Sequence, residues 1–258
     1  MDPSVNGRAR PPHPSTLSEL LRLRLREPAS GGEVGAHERQ GRRFAVMAND
    51  ELWAEVARQA VHLRRSGVQV GDRLLLAFGA PSAAWTAYLS AVCAGALPAI
   101  APYRPALDGP ARAHQRLADA RRALGEDARL YGPPPTADGP DVDLTPLPAG
   151  LRGPRPTVDD LAALLPTVGP ADPLHIQFSS GSTEQPKAVV VTHGSLMANA
   201  TTYVDTIGAG PDDRFVSWLP LYHDLGLVGG CLTSLVAGAS LYLLTPCLLY
   251  TSPSPRDS

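Results

Sequence analysis

The stretch Leu174-His175-Ile176-Gln177-Phe178-Ser179-Ser180-Gly181-Ser182-Thr183-Glu184-Gln185-Pro186-Lys187-Ala188-Val189-Val190-Val191-Thr192-His193 decides the reading of this chain. Two apolar runs, 174–178 and 188–192, have the length and composition of buried strands. The segment between them is rich in Gly, Ser and Thr, which offer backbone N–H groups and hydroxyls to an anion while leaving space for close approach. Phosphate is the natural guest. Ser179, Ser180, Ser182 and Thr183 are the candidate donors, Gly181 supplies backbone freedom, and Lys187 supplies charge. Lys187 is the sole lysine among the 23 basic residues, the rest being arginine. A compact ammonium on a flexible stem differs from a planar guanidinium fork, so its retention in this loop points to a need for a point charge. The segment is not a Walker loop, because Pro186 precedes the lysine and Ala188 follows it. It is not a dinucleotide fingerprint either, since it lacks GxGxxG. The bland alternative is a solvated Ser/Thr turn.

Outward from this loop the chain alternates helical and strand-like periods. Ser15 or Thr16 caps a helix through Arg26, and Asn49 caps a second that Gly67 closes. Strands are expected at 74–78, 97–101 and 128–131, with helices at 82–94 and 111–124 between them. After a Pro-, Gly- and Asp-rich connection at 132–156, a helix at 158–165 leads into the loop region. A helix from near Ser195, a strand at 215–219, a helix at 224–236 and a strand at 240–244 follow. Such alternation implies an α/β fold with a mostly parallel sheet.

Composition narrows the function class. At 258 residues and a formal charge of −2 the chain can bury a sizeable core but presents no general basic field, which argues against nucleic acid as a partner. Cys93, Cys231 and Cys247 are widely spaced, without the pattern of a zinc site or disulfide framework, which suits the cytoplasm. Residues 1–14 read as a disordered tail without a signal-peptide core. The span 225–250 carries no charge, yet Gly226, Gly229, Gly230, Gly238 and Pro246 interrupt it. It therefore reads as a buried helix, turn and strand rather than a membrane span. No GxSxG elbow supports nucleophilic hydrolysis. Trp53 and Trp85 are expected to be core anchors, and His193 to pack or cap rather than react.

A second constellation is Ser217-Trp218-Leu219-Pro220-Leu221-Tyr222-His223-Asp224-Leu225-Gly226-Leu227. It falls between a strand and a helix, the position at which open α/β sheets bind ligands. Tyr222 and His223 could border a carboxylate, while Asp224 is at least as well suited to capping the helix.

Together, the Gln177–His193 run, with its Pro-Lys step and closing Thr-His, closely resembles the phosphate-loop signature of the adenylate-forming superfamily. Two positions depart from it: Glu184 replaces a small residue and Ala188 replaces glycine. The WLPLYHDLGL run is most similar to fatty acyl-AMP ligases. The resemblance implies a truncated adenylate-forming amino-terminal domain of two subdomains over 15–246. It also implies ATP and Mg²⁺ as cofactors, a fatty acid as substrate and an acyl carrier protein as acceptor. Ser179 to Lys187 would hold the β and γ phosphates, with Tyr222 and His223 beside the acyl carboxylate and His223 as the candidate catalytic residue. No metal ligand is expected within the chain. An acyl-CoA synthetase, an amino-acid adenylation domain and a non-catalytic nucleotide- or acyl-binding module are the alternatives. The run Cys247 to Asp257 resembles a translated transposase sequencing adapter. The expectation is therefore a reading frame that continues past Pro246, an inactive fragment, and an exposed sheet edge that lowers solubility.

Overall fold

Four of the helices begin where a nearby side-chain oxygen accepts from a free amide at the helix start. In α1 (Leu17–Arg26) the Thr16 hydroxyl accepts from Glu19 N at 3.1 Å, and the Glu19 carboxylate accepts from Ser15 N at 2.9 Å. Thr16, rather than Ser15, is thus the cap. In α2 (Asn49–Arg65) the expected cap moves by one residue: Asn49 is the first helical residue, and Glu51 reaches back to Ala48 N at 3.3 Å. In α5 (Val158–Leu164) and α6 (His193–Ile207) the hydroxyls of Thr157 and Thr192 accept from Asp160 N and Ser195 N. The remaining helices are α3 (Pro81–Cys93), α4 (Pro110–Leu124) and the short α7 (Thr233–Ala237). The computed structural model describes residues 13–26, 33–37, 44–104, 108–132, 145–146, 156–179 and 186–244.

The strands are β1 (Glu33–His37), β2 (Phe44–Ala48), β3 (Arg73–Leu76), β4 (Leu97–Ile100), β5 (Arg129–Gly132), β6 (Thr145–Pro146), β7 (Pro173–Ser179), β8 (Lys187–Thr192), β9 (Arg214–Ser217) and β10 (Ser240–Leu243). One sheet has the order β4-β3-β5-β6, parallel throughout. A second has the order β2-β1-β10-β9, in which β1, β10 and β9 are parallel and β2 is antiparallel. The third is the antiparallel pair β7-β8. The mostly parallel α/β expectation therefore holds, with two antiparallel exceptions. The β1–β2 pair escapes the sequence reading because two five-residue runs, EVGAH and FAVMA, are too short to display a period.

The first sheet is covered on both faces. Leu74 and Leu76 point into the larger core with Leu63, Trp85 and Tyr88, while Leu75 and Ala77 point to a second cluster with Ala113, Leu117 and Leu124 of α4. This explains why β3 reads as a continuous apolar run rather than an alternating one. The expected helix at 224–236 is a π-helix over Leu225–Leu232 followed by α7. Gly238, at φ 73°, then turns the chain into β10, so residues 225–243 of the charge-free span form helix, turn and strand. Among the described residues no helix is long and apolar enough to cross a membrane. β9 is an edge of its sheet, and Val216 on it is exposed, as are Val189 and Val190 on β8. Residues 1–12, Ser180 to Gln185, most of the 132–156 connection and the 247–258 run lie outside the described residues.

Candidate functional site

The antiparallel register of β7 and β8 pairs Ser179 directly with Lys187, and Gln177 with Val189. Directly opposed residues share a face of a two-stranded sheet, and so do residues two apart along a strand. Gln177, Ser179, Lys187 and Val189 therefore lie on one face. Lys187 is exposed, and among the described residues no carboxylate pairs with it. Ser180, Gly181, Ser182 and Thr183 lie outside the described residues, but the strands that carry their two ends are in place. The closing Thr192-His193 anchors β8. The Thr192 hydroxyl caps α6, His193 N donates to Asp172 O at 3.0 Å, and Gly194 N donates to Pro170 O at 2.7 Å.

The second constellation is a tight turn between β9 and the π-helix. His223 N donates to Pro220 O at 3.1 Å, and Leu227 N donates to His223 O at 3.0 Å. Asp224 caps the π-helix, its carboxylate accepting from Leu225 N at 2.7 Å. His223 is largely exposed, and its Nδ1 stands 2.5 Å from the same Asp224 oxygen. Leu225 N also donates to His223 Nδ1, at 3.3 Å, so that nitrogen is engaged within the turn. Gly226 is required by a close approach: a Cβ there would lie 2.8 Å from the carbonyl carbon of Pro220 and 3.0 Å from Leu219 O.

The two constellations meet through β7. A crevice of about 10 Å³ is lined by Tyr222 and Leu221 from the turn, by Gln177 and Ile176 from β7, and by Tyr88 and Ile100. Two residues beyond Gln177, about 7 Å along a strand, is Ser179 opposite Lys187. The Gln177 side-chain nitrogen is buried without a hydrogen-bond partner. Behind the crevice the Tyr88 hydroxyl lies 2.9 Å from His175 Nδ1, and Trp85 stacks on Tyr88 with ring centroids 5.8 Å apart. Burial pushes the Tyr88 phenol up, so it stays protonated, and pushes His175 down to about 4, aided by nearby His193. His193 is also held below its usual value by burial, with Asp172 opposing. Its Nδ1 accepts from Leu17 N at 3.2 Å, so it ties α1 to α6. The packing role expected of His193 is the one observed, and buried Trp85 is likewise a core residue. A separate cavity of about 280 Å³, bordered by Trp53, Trp85, Leu161 and Leu241, shares no residue with the hairpin or the turn.

Sequence reasoning missed Arg104, Asp108 and Gln177. Arg104 follows β4, and its guanidinium carbon is 5.8 Å from the centroid of the Tyr222 ring. No periodicity marks it, because the contact joins segments from two different sheets. Gln177 was read as part of the motif without a role, since strand alternation does not show which face is covered. Among the described residues no group of three or more His, Cys, Asp or Glu is placed to hold a metal ion.

Comparison with known proteins adds to this geometry. The profile of the family described as "AMP-binding enzyme" matches residues 39–253. A Caulobacter vibrioides protein, provisionally named an acyl-CoA synthetase, is 33% identical over 224 residues, covering 84% of this chain and 38% of its own length. The Mycobacterium tuberculosis long-chain-fatty-acid–AMP ligase FadD23 is 30% identical over 220 residues, covering 78% and 36%. The Teredinibacter turnerae medium-chain-fatty-acid–[acyl-carrier-protein] ligase TtuA is 36% identical over 107 residues, covering 40% and 17%. Among solved structures, the fatty acid AMP ligase from Legionella pneumophila superposes with a TM-score of 0.73 at 22% identity, covering 93% of this chain and 41% of that one. This chain thus spans less than two fifths of the length of these curated relatives.

Proposed function

The chain belongs to the AMP-binding enzyme family, and from that premise we propose that its protein activates a fatty acid with ATP to form an acyl-adenylate. A carboxylate oxygen of the acid bonds to the α-phosphorus. The bond from that phosphorus to the oxygen bridging to the β-phosphate breaks, and pyrophosphate leaves with that electron pair. The observation that carries the reading is the run of β7 from the Tyr222 crevice to Ser179 opposite Lys187. It supports the reading because Ser179, opposite Lys187, is two residues along the strand from Gln177, which lines the crevice with Tyr222.

The residues fit a nucleotide triphosphate. Lys187 is exposed and its ammonium would offset phosphate charge, while the Ser179 hydroxyl on the same face would donate to a phosphate oxygen. Ser180, Gly181, Ser182 and Thr183 complete the set. Mg²⁺ would enter bound to the nucleotide's phosphates and supply charge neutralisation there. Tyr222 would wall the acid subsite, and the exposed His223 ring would border the carboxylate. Positioning of this kind is the main catalytic resource for phosphoryl chemistry. The acceptor we favour is the thiol of an acyl carrier protein, supported by the relationship to TtuA and by the WLPLYHDLGL run. CoA is the competing acceptor, favoured by the Caulobacter relative. A cytoplasmic setting suits the ATP requirement and the buried free thiols of Cys93 and Cys231.

The test is exchange of labelled pyrophosphate into ATP by the protein expressed from its complete genomic reading frame, with and without saturated fatty acids of graded length. Exchange that depends on the acid supports the reading. Exchange stimulated by amino acids instead, or none with any acid, overturns it. Acyl transfer to a carrier protein compared with CoA then decides the acceptor.

A further inference from the structure

We propose that Arg104 is a positioning residue of the acid subsite, holding the Tyr222 ring against the crevice through a fork fixed by Asp108. This rests on the reading above that Tyr222 borders the acyl carboxylate. Arg104 follows β4 of the first sheet, whereas Tyr222 follows β9 of the second, so their contact bridges two sheets. The guanidinium lies 5.8 Å from the ring centroid, within the range at which a cation is attracted to the face of an aromatic ring.

What distinguishes this arginine from an ordinary surface cation is how firmly it is held. Its Nε and Nη2 donate to the two oxygens of Asp108 at 3.2 and 3.1 Å, so the plane of the fork is set by a bidentate pair. Asp108 N donates back to Arg104 O at 2.9 Å, and Arg116 Nε of α4 stands 3.6 Å from the same carboxylate. The Asp108 side chain is only 10% exposed, so this pairing is weakly screened compared with surface ion pairs. The order of support is therefore α4, Arg116, Asp108, Arg104, Tyr222. At its end the ring closes a crevice of about 10 Å³ over the unpartnered Gln177 amide nitrogen. Arg104 does not touch that crevice itself. Its effect is to fix where the Tyr222 ring stands, and hence the width available beside His223.

The position calls for a planar fork rather than a charge alone. A lysine would keep the cation near the ring but lose one of the two parallel bonds to Asp108. The proposal thus separates the acid subsite from the nucleotide subsite, because nothing in the support runs through Ser179 or Lys187.

The test, on the protein expressed from its complete genomic reading frame, is initial-rate pyrophosphate exchange with decanoate and ATP varied in turn, for wild type, Arg104→Ala, Arg104→Lys, Tyr222→Ala and the Arg104→Ala/Tyr222→Ala double variant. Arg104→Ala should raise KM for the acid about tenfold and leave KM for ATP within twofold, while Arg104→Lys should recover part of the loss. In the Tyr222→Ala background, removing Arg104 should have little further effect, since the interaction to be lost is already gone. Equal rises in both KM values, or an Arg104→Ala effect undiminished without Tyr222, would overturn the proposal. Should Arg104→Ala fail to fold, Asp108→Asn, which preserves shape but weakens the fork, must show the same acid-selective change or the proposal falls. A wild type without acid-dependent exchange would instead refute the function on which the proposal rests, and the two failures are told apart by the wild-type lane alone.

Discussion

Gly226→Ala probes whether the Tyr222–His223 turn is held by backbone packing. The added methyl would lie 2.8 Å from the Pro220 carbonyl carbon, 3.0 Å from Leu219 O and closer still to Pro220 O. Carbon atoms in contact prefer separations of about 3.5–4.0 Å. The turn and the π-helix would have to part by at least about 0.7 Å. Every obstructing atom is backbone, so no rotamer change relieves the clash, and the bond from His223 N to Pro220 O lies in its path. Overpacking at such a site costs about 3 kcal/mol, offset by about 1 kcal/mol from the helical preference of alanine over glycine. The net loss of about 2 kcal/mol corresponds to a fall in Tm of about 4–8 °C for a chain of this size. Gly229→Ala is the matched control. Its methyl would meet only the Leu225 side chain, with Cδ1 at 2.9 Å and Cγ at 3.7 Å, and that side chain is exposed and flexible. Thermal melts followed by circular dichroism should show a large drop for the first variant and a shift of at most 1–2 °C, in either direction, for the second. Equal Tm values for the two variants would refute the close-approach argument.

Three further outcomes are expected. His175 and His193 are neutral when buried, with folded pKa values below their unfolded ones, so the stabilisation from them is full above about pH 6.5 and is lost as pH falls through the folded values. For His175 the loss amounts to about 3 kcal/mol by pH 4. Urea midpoints that stay level from pH 7 to 4 would contradict it. Tyr88→Phe deletes the hydroxyl bonded to His175 Nδ1 in a ring whose Nε2 is already unpartnered, and should cost about 2 kcal/mol in urea unfolding at pH 7. A neutral result would mean the 2.9 Å bond contributes nothing. Lys187→Ala should lower kcat/KM for ATP at least about tenfold with Tm unchanged, because the side chain is exposed. Lys187→Arg should restore only part of it, and full activity of Lys187→Ala would remove the lysine from the phosphate site.

Much of the architecture was legible because its signals are local. The Thr16 cap, the apolar runs of β3 and β4, and the helix, turn and strand around Gly238 each depend on residues a few positions apart. The β1–β2 pair and the π-helical start of 225–232 were not legible. The first rests on short strands whose partners are distant in sequence, and the second on a close approach to Pro220 that a helical period does not record. The candidate site divides in the same way. By itself, the sequence determined the family and the alternation of helices and strands, because residue order and spacing along one segment specify them. Only the tertiary structure decided that Ser179 faces Lys187, that β7 joins that pair to the Tyr222 crevice, and that Arg104 reaches Tyr222 from another sheet. Register and inter-sheet contacts follow from how whole layers bury their apolar faces, a property of the packed chain that no single segment contains.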